Sequence, residues 1–163
     1  MSQIGWIIIA GGLVALGVAV AGRLRLVAVT VEGHSMEPTL RDGDRVLVLR
    51  RGLRRIRHGN VVVVERPEPG IGWSHLQPPR WDLEGRKWYV KRAVALPGDP
   101  VPESVAPAVG APANAVVPDD SLVVIGDGVS SSDSRRWGYF PAERLLGVVV
   151  ARLPRAEDNE PAR

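Results

Sequence analysis

Three short stretches of this 163-residue chain hold residue types that could do chemistry, each on constrained backbone. The first is Val31-Glu32-Gly33-His34-Ser35-Met36-Glu37-Pro38-Thr39-Leu40. Ser35 lies where an alternating β-branched run (Val27, Val29, Val31) ends and a turn begins, and another strand-like run starts at Arg45. Pro38 fixes its own φ and pushes Glu37 towards extended geometry, so the backbone around Ser35 is held. Gly33 removes a side chain and lets another backbone approach closely. A serine on such a turn can serve as a nucleophile. The same residues also suit an ordinary polar turn after a strand.

The second stretch is Trp88-Tyr89-Val90-Lys91-Arg92-Ala93-Val94-Ala95-Leu96-Pro97-Gly98-Asp99. Strand alternation puts Tyr89, Lys91, Ala93 and Ala95 on one face and Trp88, Val90, Arg92 and Val94 on the other. Either one of the two neighbouring cations faces the packed side or the strand twists out of a simple two-faced arrangement, and Lys91 shares its face with small alanines. Burial disfavours an ammonium ion and lowers its pKa. A free lysine, with a pKa of ~10.4, is neutral about once in 2,500 at pH 7. Lowering the pKa to roughly 8 makes about a tenth neutral, enough to act as a base. The alternative is a surface lysine beside an arginine. The third stretch is Gly126-Asp127-Gly128-Val129-Ser130-Ser131-Ser132-Asp133-Ser134-Arg135-Arg136-Trp137-Gly138. It reads either as a flexible Ser/Gly loop or as one tied by an internal Asp133–Arg135 ion pair.

The elements that must position these residues are mostly strands. Strand-like runs cover Leu26 to Val31, Arg45 to Leu49, Val61 to Glu65, Trp88 to Leu96, Ser121 to Ile125 and Leu146 to Leu153, separated by turn chemistry such as Asp42-Gly43-Asp44 and Pro97-Gly98-Asp99. No strand–helix alternation appears, which argues against a parallel α/β sheet. One short helix is expected at Pro141-Ala-Glu-Arg-Leu-Leu. Pro67 to Arg86 and Pro100 to Pro118 read as surface excursions. The resulting division is an anchor at residues 1–23, a β domain at 24–153 and a charged, disordered tail at 154–163.

Met1 to Gly22 carries no charged side chain, and its apolar core is long enough as a helix to span ~30 Å of hydrocarbon. Trp6 suits one interface, and Arg23 and Arg25 mark the other end. Ala19-Val-Ala21 resembles a cleavage site, but the basic segment of a cleavable leader is missing. A retained single membrane span fits better. Cysteine is absent, which excludes disulfides and thiol chemistry. The arginine-rich run from Arg50 to Arg57 lacks zinc ligands, a helix-turn-helix and an aromatic platform. It reads as a solvated loop or a surface against anionic lipid, not as a nucleic-acid site. No metal or cofactor is expected.

Together the three stretches resemble the bacterial type I signal peptidases, membrane-anchored serine proteases with a serine–lysine dyad. The resemblance rests on Ser35-Met36-Glu37-Pro38-Thr39-Leu40, Gly43-Asp44-Arg45-Val46-Leu47-Val48, Lys91-Arg92-Ala93-Val94-Ala95-Leu96-Pro97-Gly98-Asp99, and Gly126-Asp127 with Ser131-Ser132-Asp133-Ser134-Arg135, in the family's order. It implies an antiparallel-sheet catalytic domain with one N-terminal transmembrane helix. Ser35 would be the nucleophile and Lys91 the general base. Ser131 would orient the amine, and Asp133 and Arg135 would be structural. Gly33 stands where some members carry an oxyanion-hole hydroxyl and others glycine, so backbone N–H groups, including that of Ser35, would fill that role. The substrates implied are precursor proteins with signal or leader peptides, met at the outer face of the cell membrane. Arg23 and Arg25 point the other way, towards a cytoplasmic domain. The fourth box has Gly128 where the family usually has Asn and is one residue shorter. A specialised maturation protease for one dedicated, intracellular leader is therefore an alternative, as is a non-catalytic, membrane-tethered peptide-binding β domain. A serine–histidine–aspartate protease fits poorly: His34 would face away from Ser35, and His58 and His75 lie in loop-like segments.

Overall fold

A computed structural model describes residues 25–73, 83, 85–112 and 114–154. The apolar segment expected to be an anchor, the 155–163 part of the tail and His75 lie outside the described residues. Among the described residues, no helix is long and apolar enough to cross a membrane.

Seven strands form one antiparallel sheet: β1 (Leu26–Thr30), β2 (Arg45–Arg50), β3 (Val61–Glu65), β4 (Trp88–Ala95), β5 (Ser121–Ile125), β6 (Phe140–Pro141) and β7 (Leu145–Leu153). Their order is β1-β2-β7-β3-β4-β5-β6. The six strands read from β-branched runs are all present, while the two-residue β6 carries no sequence pattern of its own. The unbroken valines of β3 follow from its position. Val62 and Val64 pack into one cluster with Ala93, Leu122, Val124 and Phe140, and Val63 packs into another with Val31, Met36, Val46, Val48 and Val90. A strand covered on both faces has no exposed positions to make polar, so alternation disappears.

Two expectations are corrected. The helix expected from Pro141 is a single 3-10 turn, Ala142–Arg144, and Leu145 and Leu146 belong to β7. Pairing of Leu145 with Val64 and burial of both leucines outweigh the helix propensity of Ala-Glu-Arg-Leu-Leu. The Pro100 to Pro118 segment is not simply a surface excursion, because Val105 and Val117 are buried against Ala95 and Val123. It carries a four-residue helix, α1 (Ala106–Val109), that ends on Gly110 in left-handed conformation. The arginine run contains one 3-10 turn, Leu53–Arg55, whose arginines are exposed.

Two features of the sheet shape the site. Among the described residues β1 pairs only with β2 and is an edge strand. β4 pairs with β5 only from Arg92 onward, so among the described residues the Trp88 to Lys91 half has no strand on that side. Side chains of β1 and of this half of β4 nevertheless line one groove of about 460 Å³.

Candidate active site

The Ser35 turn is pinned from both sides. Met36 and Leu40 are buried in the core, and the Leu40 N–H donates to the Met36 carbonyl at 2.9 Å. The Glu37–Pro38 peptide bond is cis. The chain returns to β1 through two backbone bonds, Val31 N–H to Asp44 C=O at 2.8 Å and Gly43 N–H to Val31 C=O at 2.9 Å. The buried Asp44 carboxylate accepts from the Arg41 N–H at 2.9 Å and pairs with Arg152.

From Lys91 to Ala95 the strand follows the alternation read from the sequence, although Val90 on the opposite face is buried too. Lys91, Ala93 and Ala95 are buried, whereas Arg92 and Val94 are partly exposed. The Lys91 side chain is only 2% exposed, and its Nζ donates to Ser35 Oγ at 2.6 Å. Burial pushes its pKa down to about 8; the nearby Asp133 carboxylate opposes this shift and Arg135 adds to it. The ammonium also lies 4.9 Å from the centre of the Tyr89 ring. Two groups far apart in sequence thus form one hydrogen-bonded pair at the end of the groove.

The third stretch closes over this pair. The Gly128 N–H donates to the Ser35 carbonyl at 3.0 Å. A methyl group on Gly128 would collide with the His34 carbonyl, and one on Gly126 would collide with the Ser35 carbonyl and the Ser131 hydroxyl. Glycine is therefore required at both positions by close approach, not by φ. Asp133 is fully buried and caps α2 (Ser134–Trp137). It accepts from the N–H groups of Gly126 and Arg135 and from the Arg135 guanidinium, at 2.7 to 3.1 Å. Burial pushes the Asp133 carboxyl up, but Arg135 and the Gly126 N–H outweigh it and hold the group below the ordinary carboxylate range. The internal ion pair read from the sequence is present, and the loop is an ordered cap. The Ser131 hydroxyl also favours the Asp133 carboxylate, yet it is sealed from solvent and makes no hydrogen bond of good geometry.

A junction that the sequence did not disclose joins all three stretches. The Arg92 guanidinium forms a bidentate pair with Asp127 at 2.5 and 2.8 Å, and Asp127 also accepts from the Thr39 hydroxyl at 2.5 Å. These bonds, the Arg92 pair first, hold the Asp127 carboxyl below its usual range. The signal was in the sequence, since both residues belong to the quoted boxes, but nothing in either box named the other as its partner. Gly33, expected beside the oxyanion, has its N–H occupied by Asp42 at 2.6 Å and contributes a left-handed turn (φ +81°). The Ser35 N–H makes no hydrogen bond among the described residues. His34 is exposed and paired with Glu37, and His58 is paired with Asp99, so neither contacts Ser35. Among the described residues no group of three or more His, Asp or Glu is placed to hold a metal ion.

The family described as "Signal peptidase, peptidase S26" matches residues 3–107 and 102–153. The chain belongs to this signal peptidase family. It is similar to the "Probable signal peptidase I-2" of Synechocystis, 30% identical over 142 residues, covering 76% of this chain and 61% of that protein. Similarity to the "Signal peptidase I" of Bacillus licheniformis is 30% over 122 residues, covering 72% of this chain and 50% of that protein. The "Signal peptidase IB" of Staphylococcus aureus is 27% identical over 171 residues, covering 82% and 81%. The alignments with the first and second of these proteins thus span about three fifths and one half of their lengths. The family match spans all four boxes, from the serine turn to the Asp133–Arg135 loop. In this signal peptidase family member a larger cavity, about 820 Å³, lies beside Leu53, Ile56, Leu96 and Asp119 and touches neither Ser35 nor Lys91. The smaller groove holds the pair.

Proposed function

We propose that this chain is a membrane-tethered serine endopeptidase that removes signal or leader peptides from precursor proteins, with Ser35 as nucleophile and Lys91 as general base. The observation that carries this reading is the buried Lys91 amine 2.6 Å from Ser35 Oγ, with its pKa lowered to about 8. The neutral amine takes the hydroxyl proton as Oγ attacks the scissile carbonyl carbon. Negative charge then develops on the carbonyl oxygen, where the unpaired Ser35 N–H is the candidate donor. Returning the proton to the leaving nitrogen breaks the C–N bond and leaves an ester on Ser35. A water deprotonated by the same amine hydrolyses that ester and restores the hydroxyl. Asp133, Arg135 and the Arg92–Asp127–Thr39 junction keep the loops in register around the pair, and Ser131 is the hydroxyl available to steer the amine.

The free edges of β1 and of the first half of β4 support an extended substrate lying between them. Its alternate side chains would then meet shallow pockets, with small residues one and three positions before the cut. Replacing Ser35 by Ala should lower kcat/KM on membrane-inserted precursor by about a thousandfold or more. The triple replacement of His34, His58 and His75 should leave turnover within a few-fold of the parent. Loss of turnover in a folded triple variant would return the base to histidine.

The membrane anchor is the apolar run before β1, with the catalytic domain on the outer face. The C-terminal tail should therefore be digested by added protease in intact spheroplasts. Digestion only after lysis would move the domain to the cytoplasm, and the substrate to an intracellular leader.

A further inference from the structure

Away from Ser35, the groove changes character. Lys91, Tyr89 and Lys87 alternate along one extended segment, so Lys87 lies about 13 Å from Lys91 at ~3.3 Å per residue. Arg66 follows the end of β3, its N–H donates to the Lys87 carbonyl at 2.8 Å, and its guanidinium lies 5.8 Å from the centre of the Tyr89 ring. The Tyr89 ring thus neighbours both the Lys91 amine and Arg66. A third cation here, Arg86, is already paired with the buried Glu65 at 2.5 Å, and Glu65 also pairs with Arg144. Arg66 and Lys87 form no ion pair among the described residues. The exposed acids nearby are Glu32, three residues from Ser35, and Glu68, which lines an adjoining cavity with Arg66 and Lys87. The far end of the groove therefore carries two cations that form no ion pair among the described residues, beside an aromatic ring.

From this geometry we infer that Arg66 and Lys87 form a subsite for a substrate carboxylate four to five residues before the cut. The inference rests on the peptidase reading above. The upstream part of the substrate stays attached to Ser35 in the acyl-enzyme, so it is the part that the groove must hold. An extended strand starting at Ser35 reaches the two cations after about four residues. Half-exposed pairs of this kind add selectivity more than raw affinity.

The test uses the full-length protein in detergent and peptides that differ only in Glu, Gln or Lys at the fourth and fifth positions before the cut. The kcat/KM ratio of the Glu peptide to the Gln peptide should be roughly three- to tenfold at low salt and shrink as salt is raised. In Arg66→Gln/Lys87→Gln the ratio should fall to about one, and in Arg66→Glu/Lys87→Glu the Lys peptide should become the preferred one. A general structural defect would lower all three substrates together and leave the ratio in place. A wild-type ratio near one, or a ratio unmoved by the double variant, overturns the subsite. So does a preference for anionic over neutral vesicles that depends on Arg66 and Lys87 without any peptide preference, because the cations then serve lipid phosphate. Binding of the same peptides to Ser35→Ala reads the subsite without turnover. Glu-selective binding with no cleavage by the wild type would reject the peptidase reading and keep the subsite, whereas equal binding would reject the subsite alone.

Discussion

Replacing Lys91 by Met or by Arg should lower kcat/KM by about a thousandfold, close to the level left by Ser35→Ala. Methionine has no amine. Arginine keeps its charge at any accessible pH and so cannot accept the serine proton. The only other lysine, Lys87, stands about four residues away along the groove and cannot reach Ser35. In the wild type, activity should rise about tenfold per pH unit until the Lys91 amine titrates near pH 8 and then level off, since only the neutral amine is a base. Lys91→Met retaining more than a few per cent of activity, or a flat profile from pH 6 to 9, would remove lysine from the role. A second readout has an opposite sign. The folded-state pKa of about 8 lies below the ordinary 10.5, so the unfolded chain binds more protons between these values and wild-type stability rises with pH across that window. Below pH 8 the folded protein carries the cost of a buried ammonium. Lys91→Met should therefore melt higher than wild type at pH 7, and this advantage should shrink as pH rises towards 10.5.

Most of the strands were legible because their valines and leucines sit at positions where a two-residue period meets the core. β3 was legible for a different reason, as an unbroken apolar run covered on both faces. Alternation narrowed the buried cation to Lys91 or Arg92 and put Lys91 with the small alanines, and the structure buries Lys91 and leaves Arg92 partly exposed. What the sequence could not contain is which distant groups meet. β1 and β4 are separated by three strands in the sheet, yet line one groove. Arg92, Asp127 and Thr39 form one junction although Thr39 and Asp127 are 88 residues apart. Glu65 read as the polar end of a strand, but it is buried between two arginines supplied by segments 21 and 79 residues away. The four-residue helices were also invisible, because about one turn is too short for a 3.6-residue period to show. α2 is set instead by its Asp133 cap.

Gly126→Ala should cost about a hundredfold or more in kcat/KM while leaving the protein folded. The added methyl would meet the Ser131 hydroxyl and the Ser35 carbonyl, and a backbone carbonyl in a turn pinned by Met36 and Leu40 cannot move aside cheaply. The φ of Gly126 lies outside the left-handed region, so the effect is displacement, not backbone strain. Pushing the Ser35 carbonyl shifts the turn that carries Oγ, and a shift approaching 1 Å at a reacting atom is enough for a loss of that size. Gly128→Ala should behave alike, through the His34 carbonyl. Gly52→Ala is the matched control: its φ is −76° and a methyl there meets nothing within 4 Å, so activity should stay within twofold. Far-ultraviolet circular dichroism and a melting curve, run beside the kinetics, separate loss of placement from loss of fold. Gly126→Ala working within threefold of wild type would mean that the loop yields freely, and that Ser35 is not held in place by its contact with the third stretch.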